Sequence, residues 1–287
     1  MQSTAEKLDL SGMRLVVDCA NGATYKIAPR VLSALGADVV TVACSPNGKN
    51  INDGCGSTSP HILQSTVKAL GADLGVAFDG DGDRILMVDH NGEVIDGDQL
   101  LFAIASARKQ SGQLHGPVIG TVMTNLGLEK AFAGLAIPFQ RVAVGDRNVL
   151  AALKASGGIL GGESSGHIIC LDRTSTGDGI IAAIQVLEAV RSSGRSLAEL
   201  VAPMQQYPQR MINVRTDRKL DLDGSTVIRE ALEAVERALG AEGRVVLRAS
   251  GTEPVIRVMV EGQNDAVVTE FAEQLASAVR EAAAAEA

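Results

Sequence analysis

Asp79-Gly80-Asp81-Gly82-Asp83-Arg84 follows the apolar run Leu74–Phe78. Carboxylates at alternate positions of an extended backbone project to one side, and intervening glycines let the chain curl, so that three hard oxygen ligands can converge on one cation. Mg²⁺ suits such a set, because it takes a few carboxylates and leaves positions for a phosphate oxygen. Three bare carboxylates would repel a phosphoryl group, so beside an anionic substrate Asp79, Asp81 and Asp83 call for a metal. A solvated acidic turn is disfavoured by the position at the carboxyl end of a strand, where α/β sheets bind ligands. A calcium EF-hand loop fails because its sixth and twelfth positions are Arg84 and His90 instead of Gly and Glu. An aspartyl-phosphate phosphatase, with the first Asp as nucleophile, stays open as a rival, although Asp83 stands where that chemistry usually has Thr or Val.

A second loop reads Gly161-Gly162-Glu163-Ser164-Ser165-Gly166-His167. It contains a literal G-x-S-x-G, but a hydrolase triad needs a downstream acid followed by a His, and the only His after Ser164 is His167 in the same turn. The alternative is a polar loop that presents Glu163 and Ser165 to sugar hydroxyls; a plain strand connection is the bland reading. The third loop, Arg248-Ala249-Ser250-Gly251-Thr252-Glu253-Pro254, runs on to Arg257. Two hydroxyls, two guanidiniums and glycine-freed backbone N–H groups make an anion nest of the kind that holds a phosphate monoester, and the competing reading is surface arginines on a hairpin. No G-x-x-x-x-G-K-[ST] occurs, so a nucleoside triphosphate is not indicated.

The elements around these loops have α/β spacing. Strands are expected at Arg14–Asp18, Asp38–Ala43, Leu74–Phe78 and Ile85–Asp89, with Glu93–Ile95 returning after an Asn91-Gly92 turn. Helices are expected over Ala23–Leu35, from Ser59 (N-cap) and Pro60 (first position) to Ala69, and from Gly97 to Lys109. Strands alternating with crossover helices imply a mostly parallel sheet. The pattern restarts with strands at Val118–Met123, Phe139–Val144, Gly158–Leu160 and His167–Leu171, and a long helix over Gly179–Ser192. From Tyr207 the order becomes β-α-β-β-α. Expected domains are therefore 1–108, carrying the metal loop; 109–206, carrying the sugar loop; and 207–287, a small α+β domain carrying the phosphate loop.

With 287 residues, 46% hydrophobic and 21% charged, the chain is long and apolar enough for two or three cores. Two Tyr, five Phe and no Trp leave little for base stacking, and the net charge of −8 lacks the basic footprint of a nucleic-acid binder. No apolar run reaches the ~18 residues of a membrane span. Four cysteines without a CxxC pair read as a reducing, cytoplasmic setting.

Taken in this order, the three loops resemble the α-D-phosphohexomutase superfamily, with its DGDGD, GExSG and R-x-S-G-T loops on successive domains. VVDCANGATYKIAP (16–29), PNGKNIND (46–53), VGDR (144–147), GGESSGH (161–167) and RASGTEPVIRVMVEG (248–262) are similar to its phosphoglucosamine mutase branch. The resemblance implies two doubly wound α/β domains of phosphohexomutase type followed by the small α+β domain. It implies that Asp79, Asp81 and Asp83 bind Mg²⁺, with Arg84 near the transferring phosphoryl. Glu163 and Ser165 would hold the sugar, with Asp146 of VGDR a specificity candidate, and Arg248, Ser250, Gly251, Thr252 and Arg257 the non-reacting phosphate. The implied reaction interconverts glucosamine 6-phosphate and glucosamine 1-phosphate through a phosphoserine and a bisphosphate. Glucose or mannose phosphates are the alternative substrates within the superfamily. The family's phosphoserine lies in a Ser-His-Asn-Pro loop of a first domain, and no Ser-His-Asn occurs in the 287 residues. The expectation is thus a chain lacking the N-terminal domain, either a mutase or a silent Mg²⁺- and sugar-phosphate-binding fragment. Its expected partner is a small hexosamine phosphate, with no nucleic acid or membrane; the oligomeric state is left open.

Overall fold

The computed structural model describes residues 8–216, 221–222, 224–250 and 254–285. They fall into two compact units. Met1–Thr124 with Leu128–Gln205 forms the first, and Asn125–Gly127 with Gln206–Ala287 the second.

The first unit contains two α/β layers. In the first layer β1 (Arg14–Asp18), β2 (Asp38–Val42), β3 (Leu74–Phe78), β4 (Ile85–Asp89) and β5 (Val94–Ile95) form one sheet in the order β2-β1-β3-β4-β5. The first three strands are parallel, as the crossover helices α1 (Ile27–Ala34) and α2 (His61–Leu70) require; β4 and β5 return antiparallel. Every residue of β3 is buried, the pattern of a central strand covered on both faces. The second layer has β6 (Val118–Thr121), β7 (Phe139–Val142), β8 (Leu160–Gly162) and β9 (Ile168–Cys170) in the order β7-β6-β8-β9, with only the last pair antiparallel. Its helices are α3 (Gly97–Gln110), α4 (Leu126–Gly134), α5 (Asp146–Ser156), α6 (Gly179–Ser193) and α7 (Leu197–Val201). One apolar cluster runs from Leu15, Val17 and Phe78 through Leu100 and Ile104 to Phe132, Leu160 and Ile184, which is why both layers act as one unit.

Local chemistry shifts several expected boundaries. The single helix expected over Ala23–Leu35 is a short 3-10 turn, Ala23–Tyr25, followed by α1. Pro29 lies in the first turn of α1, where its missing N–H has no intrahelical partner to lose. Pro60 itself is the N-cap of α2, so Ser59 does not cap that helix. The strand expected at Gly158–Leu160 lies two residues later, at β8.

At the end of β1 the Asp18 side chain is fully buried. Its carboxylate accepts the N–H groups of Ala20 and Gly56, each at 2.8 Å, and burial raises its pKa. Those bonds fix Ala20 and Asn21 in the left-handed region, at φ 52° and 48°. Asp18→Asn sets an amide N–H₂ against one of the two donors and is expected to cost ~1–3 kcal/mol. Urea unfolding checks this, and an unchanged midpoint would remove the carboxylate from the turn's support.

The second unit has β10 (Gln209–Arg215), β11 (Gly243–Ala249) and β12 (Val255–Gly262) in an antiparallel sheet ordered β10-β12-β11, with α8 (Thr226–Leu239) and α9 (Asp265–Ala285). Val214, Ile256, Val258 and Val260 alternate along their strands and pack with Ile228, Val235, Val268 and Leu275 of the helices. The intervening residues, Arg248 and Arg257 among them, belong to the opposite face.

Candidate functional site

The metal loop starts where β3 ends. Its glycines let the chain curl as expected: Gly82 has φ 82°, and one Asp79 oxygen, Oδ1, accepts the N–H groups of both Gly82 and Arg84 at 3.1 Å. This curl brings one ligand oxygen from each of Asp79, Asp81 and Asp83 within 4.8 Å of one another, the only such group of three among the described residues. Two further observations show that the cluster fits a divalent cation. Asp83 Oδ1 is buried without a hydrogen-bond donor, and Arg84 Nε approaches it only to 3.9 Å. Burial, together with the neighbouring Asp83 and Asp81 carboxyls, pushes Asp79 up to about 6, the response of crowded carboxylates that lack a countercharge. Arg84 Nε also lies 3.9 Å from Asp79 Oδ2, with about half of its side chain exposed, so the guanidinium borders the carboxylates and can still reach an anion.

The loop is held by close backbone packing. A Cβ on Gly22 would lie 2.2 Å from the Gly80 carbonyl oxygen, which accepts the Ala23 N–H at 2.8 Å. From the other side, Gly179 at the start of α6 donates its N–H to the Gly82 carbonyl at 2.9 Å.

The Glu163–His167 loop is the hairpin connection between β8 and β9, and it docks on the Asp79–Arg84 loop. Ile85 N–H donates to the Gly166 carbonyl at 3.1 Å, and Arg84 and His167 form an isolated antiparallel bridge. Gly97 N–H donates to the Ser164 carbonyl at 3.1 Å. Glu163 Oε1 accepts the Gly145 N–H at 3.1 Å, which brings the 144–147 segment, with exposed Asp146, beside the same loop. Ser165 is exposed at the loop tip. His167 was not assigned a role by sequence reasoning, which met it only as the wrong partner for Ser164. It is buried, with Nε2 3.6 Å from Asp83 Oδ2, and Gly177 lies so close that a Cβ there would be 2.2 Å from Nε2. A histidine at the end of the polar loop was the available signal; that the loop packs on Asp83 is a tertiary fact.

In the second unit Arg248 and Arg257 stand directly opposite each other on β11 and β12. Burial and the facing Arg257 both lower the Arg248 pKa. Like charges opposite each other on adjacent strands destabilise a sheet unless an anion lies between them. At the other end of the same face Arg244 is compensated by buried Glu261, at 2.6 Å. Asn213 pairs with Arg257, and Arg215 follows two residues on, so β10 adds two polar side chains to this face that sequence reasoning did not name. Ser250 continues the strand end, donating its N–H to the Val255 carbonyl at 2.8 Å; Gly251 and Thr252 lie outside the described residues.

Three family models match the chain in succession: the phosphoglucomutase/phosphomannomutase alpha/beta/alpha domain II over residues 1–92, alpha/beta/alpha domain III over 96–207 and the C-terminal domain over 211–278. Among curated relatives, the phosphoglucosamine mutase of Alkalilimnicola ehrlichii is 56% identical over 96% of this chain and 61% of its own length. That of Halorhodospira halophila is 56% identical over 98% and 62%. The chain thus spans about three fifths of the relatives it matches. Among solved structures, Aspergillus fumigatus N-acetylphosphoglucosamine mutase in complex with GlcNAc-6P and magnesium superposes with a TM-score of 0.82 at 21% identity, over 98% of this chain and 64% of that one. A phosphoglucomutase/phosphomannomutase family protein from Burkholderia thailandensis gives 0.80 at 24% identity, over 98% and 63%. At these identities the structures show a shared fold. Matched by three consecutive domain models and by relatives more than half identical, the chain belongs to the phosphoglucomutase/phosphomannomutase family, of which it carries domains II, III and IV.

Proposed function

We propose that these residues serve a phosphoglucosamine mutase, interconverting glucosamine 6-phosphate and glucosamine 1-phosphate in the cytoplasm. The docking of the Glu163–His167 loop on the Asp79–Asp83 loop carries this reading, because it sets sugar-binding groups beside cation ligands. Asp79, Asp81 and Asp83 would hold Mg²⁺, which when bound compensates charge on a phosphoryl group. Arg84 offers a guanidinium to the same oxygens. Glu163, fixed by Gly145, and Ser165 accept and donate hydrogen bonds to sugar hydroxyls, and Asp146 stands next to them to discriminate among sugars. Arg248, Arg257 and Ser250, with Gly251 and Thr252, bind the phosphate that does not react, and Arg215 adds a further cation at their end of that face.

The resemblance places the phosphoryl-carrying serine in a Ser-His-Asn-Pro loop, and the 287 residues contain no Ser-His-Asn. The polypeptide by itself is therefore expected to bind Mg²⁺ and hexosamine phosphate without turnover. A coupled assay with glucose 1,6-bisphosphate as activator tests this on the 287-residue chain, alone and mixed with the N-terminal segment of the Alkalilimnicola relative. Conversion of glucosamine 6-phosphate in preference to glucose and mannose phosphates in the mixture supports the assignment. Preference for glucose or mannose phosphates overturns it. Sustained turnover by the chain alone would overturn the binding-only expectation.

The facing arginines give a separate prediction. Arg257→Ala removes like-charge repulsion, so the stability of the second unit should stay within ~0.5 kcal/mol of the parent or rise. Its affinity for inorganic phosphate should fall about tenfold, the loss of one charge-assisted contact. Calorimetric titration and thermal melting read the two effects, and unchanged phosphate affinity would mean an ordinary surface hairpin.

A further inference from the structure

Cys19 and Cys44 meet at the carboxyl end of the first sheet. The β1–β2 register places Cys19 beside Ala43, and Cys19 N–H donates to the Val42 carbonyl at 3.3 Å. Ala43 is in the left-handed region, at φ 49°, which breaks the strand's alternation and turns Cys44 back toward the side of the sheet that Cys19 occupies. Cys19 is buried in the main apolar cluster, and half-buried Cys44 packs against it. The Cys44 thiol donates to the Val42 carbonyl at 3.3 Å, the same oxygen that accepts the Cys19 N–H, so the two residues meet on one backbone carbonyl. The other two thiols are placed differently: Cys55 accepts from Asn21 Nδ2 at 3.7 Å, and Cys170 is buried in β9. None of the four joins a group of three metal-ligating side chains among the described residues.

We propose that Cys19 and Cys44 are a modification site, a dithiol that closes to a reversible disulfide with a peroxide as oxidant. Hydrogen bonds from the Cys19 thiol and backbone, and from Thr41, lower the pKa of Cys44, while its contact with Cys44 and burial raise that of Cys19. Cys44, half-buried where Cys19 is fully buried, is the thiol that a peroxide can reach, and its lowered pKa makes it the one that ionises for attack. The Cys44 thiolate attacks one peroxide oxygen, the O–O bond breaks, and Cys44 becomes a sulfenic acid while hydroxide takes up a proton to leave as water. The Cys19 sulfur then attacks the Cys44 sulfur, and the sulfenic hydroxyl leaves with the Cys19 proton as a second water. Two thiols lose two electrons and two protons, and one peroxide is reduced to water. A pair poised in this way suits a reducing compartment, where disulfides are transient.

The inference does not rest on the proposed mutase activity. The purified 287-residue chain is treated with one equivalent of hydrogen peroxide, quenched with catalase, alkylated and mapped without reduction. The expected result is a linked peptide pair carrying Cys19 and Cys44, an intact mass lower by two hydrogens, and reversal by dithiothreitol. C44S, shown to be folded by circular dichroism, should give no link and leave Cys19 alkylatable, whereas C170S should still give the Cys19–Cys44 link. Accumulation of Cys44 sulfinic acid without a link, a link through Cys55 or Cys170, or four alkylatable thiols after treatment would each overturn the proposal.

Discussion

Gly166→Ala is expected to lower the melting temperature of the first unit more than any other single-methyl addition in the two loops. A Cβ at this position would lie 1.9 Å from the Ile85 carbonyl oxygen and 2.9 Å from its carbon, both backbone atoms that cannot swing away. Gly166 also has φ 91°, a conformation that costs an L-residue energy before any contact is counted. Backbone strain and overpacking together should cost ~3 kcal/mol or more, which is roughly 6–12 °C for a unit of this size. The same shift breaks the bond from Ile85 N–H to the Gly166 carbonyl and lifts the sugar loop off the metal loop, so protection by glucosamine 6-phosphate should vanish in the same variant. Gly54→Ala is the control. It too has a positive φ, 62°, but nothing lies within 4 Å of its Cβ, so only ~1 kcal/mol of conformational strain is expected. Equal melting shifts in the two variants would show that φ alone matters and that the docking contact contributes nothing.

That contrast also marks what the amino-acid order reveals. Gly166, Gly80 and Gly82 announce themselves as loop glycines, and Leu74–Phe78 as a buried strand, because turn chemistry and hydrophobic runs are local. Asp79, Asp81 and Asp83 are legible for the same reason: the carboxylates that could hold one cation lie within five consecutive residues. The particular backbone that Gly166 must avoid is not legible, since Ile85 is 81 residues away and belongs to another sheet. His167 shows the same limit. Its distance from Asp83 follows from a β-bridge between loops, and no local periodicity encodes it. Arg215 and Asn213 were missed because β10 reads as a polar edge strand, and only the pairing register with β12 puts them on the face of Arg257. The helix start at Ile27 was missed for a smaller reason. Apolar residues recur across 23–35 on both sides of Lys26, and hydrophobic spacing cannot separate a 3-10 turn from the first turn of an α-helix.

Asp81→Asn is expected to weaken Mg²⁺ binding at least ~100-fold while leaving the metal-free protein as stable as the parent or slightly more so. Asp81 is the exposed member of the three, and its removal deletes a charged ligand without opening the core. It also relieves Asp79, whose carboxyl is raised first by burial and then by the Asp83 and Asp81 carboxyls. The same raised carboxyl sets a pH dependence with a definite sign. In the metal-free protein Asp79 titrates at about 6, above its value in the unfolded chain, so the folded state binds the proton more tightly. The stability gained from that proton is present at low pH and is lost as pH rises through about 6. Mg²⁺ requires the carboxylate, so cation affinity runs the opposite way, falling by about tenfold per pH unit once the pH drops below the Asp79 value. Below that value each cation bound should release a proton, which calorimetry detects as a binding enthalpy that varies with the ionisation enthalpy of the buffer. Well above it, the release and the buffer dependence should disappear. A binding enthalpy independent of buffer below pH 6 would mean that Asp79 is already ionised and is not the residue whose proton the cation displaces.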